Sequence, residues 1–148
     1  MITQDRSGRA PRERGSSTFG KATEFGGRIS RELLVGYLLG ADFNITTDQA
    51  ITITAGYRVT KITVTNASIS LDTASGGFYS EAAKAGTELV AAAQVYSALT
   101  APTITLDCTI AAIVAGLTTV YFSLTVAQGA AATADIRIYG VARNDYPS

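Results

Sequence analysis

The chain has 148 residues, the size of a single domain, and its twelve Lys and Arg residues balance twelve Asp and Glu residues. It contains no histidine and a single cysteine, Cys108, so an internal disulfide, an imidazole metal ligand and a Ser-His-Asp triad are excluded. Apolar residues make up 47% of the chain and charged residues only 16%, which favours a real core and a surface partly covered by a partner. We therefore expect a protein that is not an enzyme and that requires neither a metal nor a cofactor.

Residues 1–30 are predicted to form an extended basic N-terminal arm. Gly, Ser and Arg dominate this segment, and its apolar residues show neither the helical nor the strand period. Seven basic and three acidic residues give residues 1–31 a net charge of +4, and five basic and nine acidic residues give the remainder −4. One interpretation is a solvated, disordered terminus. The other is an arm that becomes ordered on a partner, and the isolated Phe19 and Phe25 favour it.

The candidate partner-binding residues all lie in this arm. They are Arg6, Arg9, Arg12, Arg14, Phe19, Phe25, Arg28 and Ile29. The arginines could neutralise phosphates, but no aromatic stacking platform or groove-reading helix accompanies them, which argues against nucleic acid. Recognition of an acidic protein surface, including that of a neighbouring copy, is the alternative. No apolar run approaches the roughly 18 residues of a membrane helix, so no membrane partner is expected.

Residues 31–148 are predicted to form a β-sandwich body that begins with a short helix. Ser30 is a suitable N-cap, and Gly40 would end the helix. The apolar residues at helical spacing between them are Leu33, Leu34, Tyr37 and Leu38. This pattern predicts a two-turn helix over 31–39, and an apolar plug that docks the arm onto the body is the alternative.

Five later segments alternate apolar and Thr-rich polar residues, which is typical of half-buried antiparallel strands. They lie near 51–54, 61–65, 103–110, 120–126 and 135–139. Thr suits the outer face because its branched side chain favours extended backbone while its hydroxyl stays solvated. The residues predicted to be buried include Leu106, Cys108, Phe122, Leu124, Ile136 and Ile138. Cys108 is thereby expected to be a small core residue and not a nucleophile.

The body also contains predicted turns and a second predicted helix. Turns are predicted at Thr47-Asp48, Ala55-Gly56, Ser75-Gly76-Gly77 and Gln128-Gly129. Residues 81–99 are rich in Ala and Leu, and their spacing predicts a second helix over about 88–98, with a pair of strands as the alternative. The carboxylates of the body are scattered over turns and outer faces, so no pair is placed for acid–base chemistry.

Three stretches carry a resemblance to a known group of proteins. They are TDQAITITAGYRVTKITVTNAS (47–68), SGGFYSEAAKAGTELVAAAQVYSALT (75–100) and SLTVAQGAAATADIRIYG (123–140). In these residues the chain resembles the small virion proteins of tailed bacteriophages, of the capsid decoration or cement type. The resemblance implies an all-β, jelly-roll-like antiparallel sandwich that assembles as a homotrimer and has no catalytic residues. The complete fold prediction is therefore a jelly-roll-like sandwich with an extended basic N-terminal arm and one or two short helices. The arm and the helices are predicted from the residues themselves.

The resemblance also implies a function. A decoration or cement protein binds the major capsid protein on the outer surface of the virion after synthesis in the host cytoplasm, and it reinforces the shell. Since components of the phage tail or neck share this style of sequence, a receptor- or glycan-binding tail module is the alternative.

Overall fold

The structure, a computed structural model, describes residues 31–142. Within that range the chain forms eight β-strands and no helix, which confirms the all-β prediction. The strands are β1 (Leu33–Asp42), β2 (Gln49–Thr52), β3 (Tyr57–Thr65), β4 (Ser75–Glu81), β5 (Ala85–Val90), β6 (Leu106–Asp107), β7 (Thr119–Val126) and β8 (Thr133–Ala142).

The strands form two antiparallel sheets of four strands each. Sheet A has the order β1-β8-β3-β6, and sheet B has the order β2-β7-β4-β5. Successive strands alternate between the two sheets, except that β4 and β5 form a hairpin within sheet B. Apolar residues from both sheets contribute to one buried core, as in a β-sandwich.

An aromatic cluster lies in this core. It consists of Phe43, Phe78, Tyr96 and Phe122, all fully buried. Phe122 is its common member: the centroid of its ring lies 4.9 Å from those of Phe43 and Phe78 and 6.3 Å from that of Tyr96. Tyr96 donates its hydroxyl proton to the carbonyl oxygen of Gly76 at 3.0 Å, so the one polar group of the cluster is satisfied.

The alternating segments predicted from the sequence are present, with one of them much shortened. Of the six residues predicted to be buried, five are buried and Leu106 is half-buried against the core. The 103–110 segment forms only the two-residue strand β6, because it leaves sheet A and crosses to sheet B. Cys108 N donates to Ile62 O of β3, whereas Ala111 N donates to Leu89 O of β5.

The predicted helix over 31–39 is wrong, since this segment forms most of strand β1. Leu34 lies opposite Tyr139 and Tyr37 opposite Arg137 on the neighbouring strand β8. Register shifts between Leu34 and Gly36 and again after Leu38 break the simple two-residue alternation. Apolar side chains therefore fall on both faces of the strand and imitate a helical spacing.

The predicted helix over 88–98 is also wrong. Its first residues end strand β5, and the chain then turns back along the start of β4, where Gly76 N donates to Gln94 O and Tyr96 N donates to Ala74 O. The alternative of a strand pair is closer to the structure. Packing of Leu89 and Tyr96 into the core decides this segment, overriding the helical preference of its alanines.

The turn predicted at Ser75-Gly76-Gly77 is also wrong, because these residues begin strand β4. A Cβ atom at Gly76 would overlap the Cα atom of Leu124 on β7, and one at Gly77 would overlap the carbonyl oxygen of Val90 on β5. The glycines thus permit a close approach of neighbouring backbones. The other three predicted turns do lie between strands.

Candidate interaction surfaces

One edge of the sandwich is formed by β1 and β2, which are edge strands of different sheets. Backbone and side-chain hydrogen bonds join them at both ends. At one end Thr54 N donates to Val35 O at 2.9 Å. At the other end the side chain of Gln49 accepts a bond from Asp42 N and donates one to Asp42 O. The two edges are therefore held together, and they cannot open freely to accept another strand.

Between these two junctions lies a groove of about 530 Å³. Its walls are residues 34–37 of β1 and Ala50, Ile51, Thr52 and Thr54 on the other side. The groove opens onto a surface with large exposed apolar side chains.

We call these side chains the apolar patch. It consists of Leu33, Leu34, Tyr37 and Leu39, which are 44%, 49%, 59% and 56% exposed. Single exposed apolar residues are ordinary on a protein surface, but here four of them belong to one edge strand. Such patches mark surfaces that contact other molecules.

Two cationic side chains flank the apolar patch on the outer face of sheet A. Arg137 lies opposite Tyr37, and Lys61 lies across strand β8 from Leu34, with Tyr139 between them. The Lys61 ammonium group is 5.7 Å from the centroid of the Tyr139 ring, a cation–π distance. Within residues 31–142, neither cation forms an ion pair. Asp107 lies across Thr63 from Arg137 in the same row, so this face combines apolar and aromatic groups with charges of both signs.

The opposite edge of sheet B has a different chemical character. We call residues 81–88, which form the β4–β5 hairpin loop and the first part of β5, the β5 edge. All eight residues are exposed. They are EAAKAGTE: small side chains between two carboxylates, Glu81 and Glu88, with Lys84 at the tip.

The tip of this hairpin is fixed by contacts with the loop that connects β1 and β2. Ala83 and Lys84 both have positive φ angles, 62° and 58°, the left-handed conformation that non-glycine residues seldom adopt. Asp48 stabilises this turn by accepting a 2.6 Å hydrogen bond from Ala83 N. On the same turn, Lys84 Nζ donates to Thr46 O at 2.9 Å. The β5 edge is thus a pre-formed surface.

Three aspartates of the body hold neighbouring segments through hydrogen bonds. Asp135 accepts bonds from Gly40 N and from the side chain of Asn66, and Asp72 accepts one from the side chain of Gln128. Asp42 caps the following turn by accepting a bond from Asn44 N. Among residues 31–142, no three Cys, Asp or Glu side chains are grouped so that they could hold a metal ion.

Cys108 lies inside the body, as the alternation predicted, and is 6% exposed. Burial raises the pKa of its thiol to about 12; the neighbouring Tyr96 hydroxyl lowers this pKa, and the nearby charge of Asp107 raises it. Because the thiolate is the reactive form, this cysteine is poorly placed for nucleophilic chemistry.

The eight predicted partner-binding residues lie outside the described residues, between positions 6 and 29. The apolar patch and the β5 edge were not predicted as sites. One signal for the patch is available in the sequence: in a strand, the run from Leu33 to Leu39 must direct some of its large apolar residues outward.

No helix in residues 31–142 is long and apolar enough to cross a membrane. Comparisons with protein-family models, with curated proteins and with solved structures find no match to this chain.

Proposed function

We propose that the chain is a structural virion protein of a tailed bacteriophage, which binds the outer surface of the capsid and reinforces the shell without catalysing a reaction. The observation that carries this proposal is the apolar patch of Leu33, Leu34, Tyr37 and Leu39 on a body with a well-packed core. Exposed apolar side chains on a small rigid body suit contacts with protein surfaces.

The strand order supports a finer fold assignment. In a jelly roll, eight strands form two Greek keys and successive strands alternate between two sheets. The orders β1-β8-β3-β6 and β2-β7-β4-β5 fit that connectivity. Jelly rolls are frequent among viral capsid and lectin domains, so this analogy is compatible with a virion protein and with a glycan-binding one.

Attachment to the capsid is assigned to the N-terminal arm. Its arginines would pair with carboxylates of the major capsid protein, and Phe19, Phe25 and Ile29 would fill apolar pockets. Charge would speed and orient docking, whereas the buried aromatic side chains would slow dissociation. With several copies joined, in a trimer by the resemblance, each arm would bind at the high effective concentration set by its neighbours.

Deletion of residues 1–28 tests this assignment. We expect the truncated protein to keep the β-sheet circular dichroism spectrum of the full chain and to lose co-sedimentation with purified capsids. A matched pair of full-length variants separates charge from apolar contact. Replacing Arg6, Arg9, Arg12 and Arg14 by Lys should preserve most binding, whereas Phe19→Ala with Phe25→Ala should increase dissociation. Capsid binding of the truncated protein at full affinity would refute attachment through the arm.

A tail or neck component that binds a receptor or glycan is the second candidate. The observation that favours it is Tyr37, which is 59% exposed beside the half-buried Tyr139, since aromatic side chains with a polar end suit such surfaces. The number of copies per virion distinguishes the two functions. Hundreds of copies support the capsid role, and a few to tens support the tail or neck.

A further inference from the structure

We propose that the outer face of sheet A binds a neutral glycan, with sugar rings packed on its tyrosines and sugar hydroxyl groups bonded to its charged side chains. The side chains that carry this role are Tyr37, Lys61, Asp107, Arg137 and Tyr139. The assignment rests on the second candidate function, glycan binding, and gives it a site and a class of ligand. It applies equally to a body attached to the capsid and to one in the tail or neck.

The groups of this face lie in neighbouring rows that run across the strands. In one row, Tyr37 of β1 lies opposite Arg137 of β8. Thr63 of β3 is next in this row, and Asp107 of β6 ends it. Tyr139 lies two residues along β8 from Arg137, in the adjoining row. The first row spans three strand spacings, about 14 Å, which is enough for a short oligosaccharide.

These side chains are directed away from the core and belong to paired strands. Ile136 and Ile138, which alternate with Arg137 and Tyr139 along β8, are fully buried, so Arg137 and Tyr139 lie on the opposite, outer face. Strand β8 is hydrogen-bonded on both sides, to β1 and to β3. The binding groups are therefore positioned before a ligand arrives, which reduces the entropy lost on binding.

The charges of this face do not favour an ionic ligand. The face carries two cations, Lys61 and Arg137, and two carboxylates, Asp107 and Asp135. A third carboxylate, Glu32, accepts a hydrogen bond from the residue before Lys61. Because both signs are interspersed, the face has no extended field of one sign to attract a polyanion or a polycation. A ligand without net charge avoids repulsion from either sign.

The hydrogen-bonding groups of this face match hydroxyl groups. Within residues 31–142, the guanidinium group of Arg137 and the carboxylate of Asp107 form neither an ion pair nor a hydrogen bond. A guanidinium group only donates and a carboxylate only accepts, whereas a hydroxyl group does both. A sugar that lies across Thr63 can therefore bond to both groups, which a ligand with only donors or only acceptors cannot do.

The tyrosines supply the apolar part of the site. Tyr37 is 59% exposed, and Tyr139 is its diagonal neighbour on β8, within the reach of aromatic side chains. The C–H groups on one side of a sugar ring are apolar and can pack on a tyrosine ring, whose hydroxyl end remains free to form a hydrogen bond. The Lys61 ammonium group, 5.7 Å from the centroid of the Tyr139 ring, helps to orient that ring.

A protein partner suits this face less well than a glycan. The centre of a protein–protein contact is depleted in charged residues, whereas here Arg137 and Asp107 flank the central Thr63. Covering these two charges with an apolar protein surface would cost free energy, since neither has a partner within residues 31–142. The apolar patch, which does suit a protein, belongs to edge strand β1 and shares only its border with this face, at Leu34 and Tyr37.

A glycan array tests the proposal on the full chain. Biotinylated protein, joined on streptavidin so that weak sites act together, is applied to printed neutral and anionic oligosaccharides. We expect binding to one structural class of neutral oligosaccharide, and this binding should change less than about twofold between about 0.05 and 0.5 M NaCl. No binding to any neutral oligosaccharide would overturn the proposal. Binding confined to anionic oligosaccharides and lost at high salt would also overturn it, since charge would then determine the ligand.

Variants of the full chain locate the site, with a matched control on sheet B. Arg137→Ala, Asp107→Ala and Tyr139→Ala should each weaken binding to the identified oligosaccharide about tenfold. The conservative Tyr139→Phe and Asp107→Asn keep the ring and an acceptor oxygen, so they should retain more binding than the alanine variants. Tyr121→Ala, which removes a half-buried tyrosine from the outer face of sheet B, should have no effect. Unchanged binding in all three alanine variants, at unchanged melting temperature, would overturn the assignment of the site.

Glycan binding and capsid attachment are measured separately. The array uses the free chain and the arm is tested by co-sedimentation with capsids, so either result can fail without the other. The number of copies per virion locates the protein and leaves the array result unchanged. If the wild type binds no glycan while Arg137→Ala and Asp107→Ala lose co-sedimentation with capsids, the face contacts the capsid and the proposal is overturned.

Discussion

The molecule uses large apolar side chains in two opposite ways. In the aromatic cluster, Phe43, Phe78, Tyr96 and Phe122 are fully buried with ring centroids 4.9–6.3 Å apart. In the apolar patch, similar side chains on β1 are about half exposed. Both groups consist of large apolar side chains, and they differ greatly in what surrounds them.

The presence of large apolar side chains therefore does not by itself distinguish a core from a contact surface. A buried ring contributes free energy of folding through transfer from water and through dispersion contacts with all its neighbours. A half-exposed apolar side chain contributes much less of both until another molecule covers it. Substitutions in the aromatic cluster should therefore change stability, and substitutions in the apolar patch should change association.

The largest effect is expected for Phe122→Ala. Phe122 contacts each other member of the aromatic cluster, and its removal would leave a cavity that the two joined sheets cannot easily close. We expect the free energy of unfolding to fall by about 3–5 kcal/mol. Urea denaturation followed by circular dichroism measures the free energy of unfolding of the variant and of the wild type. An equal m-value for the two proteins shows that their free energies can be compared directly.

Phe122→Leu is the matched control. It keeps most of the apolar volume and should lose clearly less stability than the alanine variant. A loss below about 1 kcal/mol for Phe122→Ala would contradict the central position of this ring in the core.

An effect of intermediate size is expected from Cys108 at alkaline pH. The pKa of this thiol is raised to about 12 in the folded protein, against an ordinary value of 9.0, mainly through burial. Its contribution to stability is thus complete below pH 9 and is lost as the pH rises toward 12, because only the unfolded chain releases the proton easily. The loss amounts to at most about 4 kcal/mol. Burial also raises the pKa of Tyr96, which gives the same sign.

Cys108→Ala removes this titration. Its free energy of unfolding should decrease less steeply than that of the wild type between pH 9 and pH 12, with both proteins compared to their own values at pH 8. The baseline at pH 8 accounts for the lost volume of the thiol. Cys108→Ser should show the same shallower dependence, with a lower baseline because a hydroxyl replaces the thiol on the core face. Parallel curves for all three proteins would show that the thiol titrates alike in folded and unfolded chains.

The sequence predicts the fold best where one face of a strand is buried and the other is polar. Strands β3, β7 and β8 follow the alternation of residues such as Ile62, Leu124 and Ile136. It fails where long-range contacts outweigh local preference. Residues 33–39 become a strand by pairing with residues of β8 that lie 98 or more positions away in the chain (Leu38 with Ile136, 136 − 38 = 98). Gly76 and Gly77 lie in a strand because neighbouring backbones approach them closely.

The candidate surfaces are less predictable than the fold. The charge of the arm is visible in the composition, but the apolar patch depends on which face of β1 each side chain occupies, and two register shifts determine that. The β5 edge likewise depends on the left-handed turn at Ala83 and Lys84, which Asp48 stabilises from a distant loop. Neither arrangement follows from local sequence periods.

The smallest effect on stability is expected for Tyr37→Ser combined with Leu39→Ser. Both side chains are more than half exposed, so their loss should change the free energy of unfolding by no more than about 0.5 kcal/mol each in dilute solution, where copies are separated. The same variant should weaken binding to the capsid, because polar side chains cannot replace the apolar area that a protein contact would cover. A loss of several kcal/mol in dilute solution would mean that these side chains belong to the core. Unchanged stability together with weakened binding would separate the two roles, since the double variant then changes only the binding equilibrium.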